Sequence, residues 1–174
     1  MSENRSRRIL LPLLAAAIIV ISLTGCGGPH PIPPPSSAGT ITVVDMAGRT
    51  VEISANVESV ALVYGVITSY ITALGKADKL SAIVSTNDFF KMIHPVFETV
   101  GTIGRAQVDM EAIAQLNPDL FIHRASDINT LNAVQGLGIP SIGIMAENQD
   151  DITATLSLLG KALGAEDRAD ELIA

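Results

Sequence analysis

The sequence predicts an α/β lobe over residues 40–174: a parallel sheet flanked by helices and preceded by a β-hairpin. Three observations predict it. Short β-branched apolar runs alternate with stretches of helical spacing at least three times, the signature of βαβ units. Several of those runs are continuously apolar, as in strands buried on both faces. Ahead of them stand two β-branched segments separated by a polar, glycine-containing turn, a hairpin signal.

The elements follow in order. "TITVVDMAGRTVEIS" (residues 40–54) reads as two short strands around a turn at residues 45–49. "VESVALV" (57–63) reads as a buried strand, "ITSYITALG" (67–75) as a helix stopped by glycine, and "KLSAIVS" (79–85) as the next strand. Residues 86–105 are irregular and carry Pro95, Gly101 and Gly104. "DMEAIAQL" (109–116) opens on an acidic cap and is broken by Asn117-Pro118. "DLFIHR" (119–124), "DINTLNAVQGLG" (127–138) and "IPSIGIM" (139–145) read as strand, helix and strand. From Asp150 the chain is helical to its end, with Gly160 and Gly164 as the expected break. In such a Rossmann-like sheet, ligands bind beyond the carboxyl ends of the strands. The loops there are residues 64–66, 85–90, 102–107, 123–126 and 146–149.

The segment before residue 40 has a different character. Arg5, Arg7 and Arg8 precede an uncharged apolar run over residues 9–24, the shape of a secretory signal over residues 1–25. A transmembrane anchor is the alternative, but the run is shorter than the roughly 20 apolar residues that span a bilayer, and Pro12 interrupts it. "LTGC" (23–26) resembles a bacterial or archaeal lipobox. In precursors of that kind the cysteine takes a diacylglycerol and becomes the new N-terminus. Cys26 is the chain's one cysteine, which excludes a disulfide framework. Two or more acyl chains hold durably, where a single chain binds marginally. "CGGPHPIPPPSSAG" (26–39) then reads as an extended, semi-rigid tether that places the lobe outside the cytoplasm, near a membrane.

Charge excludes further classes. The 174 residues carry a net charge of −7, and removing residues 1–25 takes away three arginines and one glutamate, leaving −9. Nucleic acid demands a basic face, so it is not an expected partner. Enzyme motifs are missing as well: no G-x-G-x-x-G, no G-x-x-x-x-G-K-[ST] and no G-x-S-x-G occurs. "GTIGR" (101–105) has two glycines before a helix and reads as a turn. His94 and His123 lack the spacing of a metal site. His94 reads as structural or exposed, whereas His123 ends a strand at the ligand rim. Asp109 and Glu111, two apart on a helix, point in different directions and make a poor acid–base pair.

Several segments together, "VVDMAGRTVEIS", "VALVYG", "ITALGKADKLSAIVS", "MEAIAQLNPDLFI" and "LGIPSIGI", resemble in order the N-terminal lobe of the periplasmic binding proteins for iron–siderophores, haem and cobalamin. These are solute receptors of ATP-driven importers, often lipoproteins. The most specific pieces are D-x-x-G-R-x-V-x-I and E-A-I-x-x-L-x-P-D-L-x-I. The resemblance implies a two-lobed protein of which this chain holds the first lobe and, from Asp150, the approach to the interlobe helix. It implies capture and delivery rather than catalysis, with an ABC permease and its ATPase as partners and no intrinsic cofactor or metal. The expected ligand-binding residues are Tyr64, Gly65, Ser85, Asn87, Phe89, Arg105, His123 and Arg124. Tyr64 and Phe89 suit a flat or apolar ligand surface. Arg105 and Arg124 suit carboxylate or catecholate oxygens, or else pair with surface acids. Glu111 matches the glutamate that docks on permease arginines. A Rossmann-like enzyme and a tethered protein-interaction module are the competing readings.

Overall fold

The turn residues of the hairpin fix how the rest of the lobe is assembled. In the computed structural model, which describes residues 39–63, 65–84, 92, 94–104 and 107–174, β1 (Thr40–Val44) and β2 (Thr50–Ser54) pair antiparallel from Thr40 opposite Ser54 to Val44 opposite Thr50. Alternation along the pair buries Val43, Val51 and Ile53 and leaves Thr42 and Glu52 outside. Between the strands, the Asp45 carboxylate accepts the amides of Ala47 (3.0 Å) and Arg49 (2.8 Å), closing the turn. The expected signal segment, Cys26 and the tether up to residue 38 lie outside the described residues.

Among the described residues, five parallel strands form the central sheet: β3 (Val60–Leu62), β4 (Leu80–Ile83), β5 (Gly101–Thr102), β6 (Leu120–Arg124) and β7 (Ser141–Ile144), in the order β5-β4-β3-β6-β7. Among the described residues, five α-helices accompany them: α1 (Ile67–Ala73), α2 (Met110–Leu116), α3 (Ile128–Gly136), α4 (Gln149–Leu163) and α5 (Glu166–Ile173). The sheet is apolar on both sides, as its unbroken hydrophobic runs predict. Leu62, Ile122, Ile142 and Ile144 pack with the hairpin, α1 and α4, while Ala61, Ala82 and Phe121 pack with Ile113 of α2 and Leu131 and Val134 of α3.

The strands are shorter than the sequence predicts, for a local reason. Residues 57–59 do not join β3, because the amides of Glu58 and Ser59 donate to Asp119 Oδ2 at 2.8 and 2.9 Å. The Ser59 hydroxyl in turn accepts the Asp119 amide. The two strand entrances are thus tied to each other before the ladder begins.

The hairpin caps the free edge of β7. Gly143 donates its amide to Asp45 Oδ2 (2.8 Å) and its carbonyl accepts from Met46 N (2.9 Å). Arg49 Nη2 bridges Asp45 Oδ2 and the Ser141 carbonyl, each at 2.7 Å. An exposed strand edge is a template for unwanted pairing, and here the D-x-x-G-R turn occupies it.

At the carboxyl end of the chain the structure corrects one expectation. Gly160 is not a break: it lies inside α4, which runs to Leu163. The break is at Gly164 alone, whose φ of 61° is the left-handed conformation that ends a helix. Gly160 serves close approach, since a Cβ there would stand 2.6 Å from Ala169 Cβ on α5.

Candidate functional site

All five parallel strands present their carboxyl ends at one rim. From β3 the chain moves outward to β4 and β5, whereas from β6 it moves the other way to β7. The loops after β3 and β6 therefore part, and a crevice opens between them, where open α/β sheets bind ligands. A cavity of ≈ 470 Å³ lies there, lined by Val63, Gln107, Val108, Met110, His123, Asp127, Asn129, Thr130 and Ala133.

His123 forms the floor of this cavity on β6 and is 8% exposed. Its Nε2 lies 3.0 Å from Asp127 Oδ2, and its ring is tilted against Phe121 with centroids 6.0 Å apart. Asp127 caps α3: Oδ1 accepts the Thr130 amide at 3.1 Å, and Oδ2 accepts the Thr130 hydroxyl at 2.8 Å. Those two Thr130 bonds, then His123, hold the Asp127 carboxyl below the usual aspartate range. His123 Nδ1 is buried and has no hydrogen-bond partner among the described residues.

Arg124 is the next residue along β6, so its side chain leaves the opposite face. It lines a second cavity of ≈ 340 Å³ with Met46, Ser126, Met145 and Glu147, beyond the ends of β6 and β7. The hairpin supplies one wall of this cavity: Met46 Sδ accepts the Met145 amide at 3.2 Å, and Thr155 Oγ1 donates to the Met145 carbonyl. The expected pairing of His123 and Arg124 in one loop thus resolves into two neighbouring cavities with different chemistry.

Gly65 sits at the rim after β3, its carbonyl taken by the Thr68 amide (3.2 Å) and hydroxyl (2.6 Å) at the start of α1. Glu111 is exposed in the first turn of α2, within reach of Gln115 Nε2 at 3.3 Å, and Asp109 caps that helix. His94, read from the sequence as structural or exposed, is half-buried, and its Nδ1 accepts the Val96 amide at 3.2 Å. Tyr64, Ser85, Asn87, Phe89 and Arg105 lie outside the described residues. Among the described residues no cluster of three or more His, Cys, Asp or Glu side chains is placed to hold a metal.

Sequence reasoning missed Asp127, Asn129 and Met46 as site residues. The H-x-x-x-D spacing was visible, but a strand-to-helix junction falls inside it, so neither period alone brings the two side chains together.

No protein-family model matches the chain. It is 25% identical over 171 residues to the uncharacterized ABC transporter substrate-binding lipoprotein YvrC of Bacillus subtilis (strain 168), covering 92% of this chain and 52% of that protein. The chain therefore spans about half the length of the curated relative it matches. Among solved structures, a periplasmic solute binding protein from Veillonella parvula superposes with a TM-score of 0.72 at 27% identity, over 78% of this chain and 44% of that one. Staphylococcus aureus SirA complexed with staphyloferrin B superposes with a TM-score of 0.63 at 22% identity, over 77% of this chain and 46% of that one. The resemblance to periplasmic binding proteins read from the sequence is borne out, and the α/β fold is that of a lobe of such proteins. These relatives are substrate-binding proteins, which are not enzymes.

Proposed function

We propose that the chain is the amino-terminal lobe of an extracytoplasmic substrate-binding lipoprotein, held at the membrane by lipid on Cys26. It captures a metal chelate of the ferric siderophore, haem or cobalamin class and delivers it to the permease and ATPase of an importer. The observation that carries this reading is the open cavity at the sheet's switch point, lined by polar and apolar side chains alike, on a lobe whose fold matches a periplasmic solute binding protein. In this reading the rim forms one wall of a cleft and a second lobe forms the other. Glu111, exposed at the start of α2, is the permease contact.

Calorimetric titration with haem, a ferric siderophore and cobalamin tests the cargo. Saturable binding of one of them at micromolar or tighter affinity supports the reading. No binding, either by this chain or by a version extended with a second lobe, overturns it. Mass spectrometry of the protein recovered from bacterial membranes tests the anchor, expecting a diacylglycerol mass on Cys26 that is lost in Cys26→Ser.

A further inference from the structure

We infer that Gln107 and Asn129 are specificity-determining residues of the switch-point cavity and read a carboxamide group on the ligand, with Gly104 as the positioning residue behind Gln107. The inference rests on the proposed function in that it names the ligand chemistry at the same site.

The stretch from Gly101 to Gly104 reads from the sequence as the start of a turn, and its second glycine does more than turn the chain. Gly104 has a φ of 127°, a conformation that favours glycine. A Cβ there would run into the Gln107 carbonyl oxygen. Gly104 also bridges antiparallel to Val108, and the Asp109 amide donates to the Ile103 carbonyl at 2.9 Å. The chain therefore closes on itself between Ile103 and Asp109, with an approach that glycine alone allows. A plain surface connection from β5 to α2 needs no such closure. What the closure achieves is placement: it sets Gln107 at the wall of the ≈ 470 Å³ cavity, just before α2 begins.

Asn129 lines the same cavity from the first turn of α3. Both side chains are exposed, so a ligand can reach them. Neither has a hydrogen-bond partner among the described residues, whereas Asp127 and Thr130 beside them are bonded to each other. A carboxamide carries two N–H donors and a carbonyl acceptor. Two of them in one lining match a group that holds donor and acceptor side by side, and a ligand carboxamide is such a group. Asp127 at the same wall discriminates further. Its carboxylate accepts an amide N–H and repels a ligand carboxylate. Val63, Val108 and Met110 add apolar surface for the aliphatic part of the ligand.

Proton–nitrogen NMR of the whole chain tests this with propionamide and propionate, which are close in shape and differ in the group being read. Propionamide is expected to shift the side-chain amide signals of Gln107 and Asn129 saturably, and propionate to leave them in place. Gln107→Ala and Asn129→Ala are each expected to weaken propionamide by up to about tenfold, as for a lost hydrogen bond, with the urea midpoint held. Gly104→Ala is expected to weaken it as much. It should cost no further affinity once Gln107 is alanine, because a positioning residue acts through the residue it positions. Unmoved amide signals, an equal response to propionate, or alanine variants that bind as the native protein does overturn the inference. Additive losses in the double variant, or a Gly104→Ala chain that does not fold, assign the glycine to folding and remove its positioning role. The probe pair and the two alanine variants decide the carboxamide reading in either case. If haem, siderophore and cobalamin all fail to bind while the amide shifts stand, the cargo reading alone is lost. If one of them binds and the amide shifts are absent, the carboxamide reading alone is lost.

Discussion

Asp45 ties the hairpin turn to the edge of the sheet. It is 4% exposed, and its two oxygens accept from Ala47 N, Arg49 N, Arg49 Nε, Arg49 Nη2 and Gly143 N. Replacing it by alanine strands a guanidinium that is 15% exposed and uncovers the Gly143 amide on the sheet edge. Removing one partner of a buried ion pair costs about 3–5 kcal/mol, far more than the pair's net worth, because the other charge stays behind. Asp45→Ala is therefore expected to lower the stability by about that amount in urea unfolding, and Arg49→Ala by less, since the carboxylate keeps its amide donors. Equal, sub-kilocalorie effects would show that the turn is not an edge clamp. The D-x-x-G-R motif was legible as a hairpin turn, and its role was not. Gly143 lies 98 residues from Asp45, and no local pattern announces a partner at that distance. The same holds for His123, whose burial depends on α2 and α3 closing over β6.

At the scale of elements, sequence periodicity found β3, β4, β6 and β7 and the described helices, but read residues 86–105 as irregular and so missed the two-residue edge strand β5 (Gly101–Thr102), too short to show a period; elsewhere it erred where tertiary contact overrules local signals. Gly160 reads as a helix break because glycine weakens helices by about 1 kcal/mol relative to alanine. In the folded chain that cost is outweighed by packing, because α5 folds back until Ala169 meets the Gly160 backbone. Two effects then compete in Gly160→Ala. Helix propensity favours alanine by about 1 kcal/mol, while overpacking a closed contact costs typically 1–3 kcal/mol. With a Cβ–Cβ separation of 2.6 Å and Ala165 O at 3.3 Å, one helix must move. The expected outcome is net destabilisation by about 1 kcal/mol, with amide exchange of α5 accelerated more than that of β3 or β6. A stabilised variant would mean that α5 yields freely. The double substitution Gly160→Ala with Ala169→Gly is expected to restore the packing and recover most of the loss, as contacting sites are non-additive.

For the whole molecule, acid sensitivity follows from two carboxylates, among the described residues, held below their usual ranges. Asp127 is held by the Thr130 hydroxyl and amide, then by His123; Glu58 is held by its hydrogen bond and charge pairing with Lys79, 2.6 Å away. When the folded state depresses a carboxyl pKa, the unfolded chain binds more protons as the pH falls. The stabilisation is complete above the unfolded values of about 3.9 for aspartate and 4.3 for glutamate, and is lost as the pH drops through the folded values. Glu58 is exposed and its pair is screened by salt, so Asp127 carries the measurable part. Thr130→Val removes the hydroxyl that donates to Asp127 Oδ2 while keeping a β-branched side chain of similar shape. It is expected to lower stability by about 1 kcal/mol at pH 7. The gap between native protein and variant should hold constant from pH 7 to about pH 5, then close below about pH 4 as Asp127 protonates in both. Urea midpoints measured across that range give the answer. A gap that persists unchanged into acid would assign Thr130's contribution to packing alone, and would detach the acid response from the His123–Asp127–Thr130 cluster at the rim.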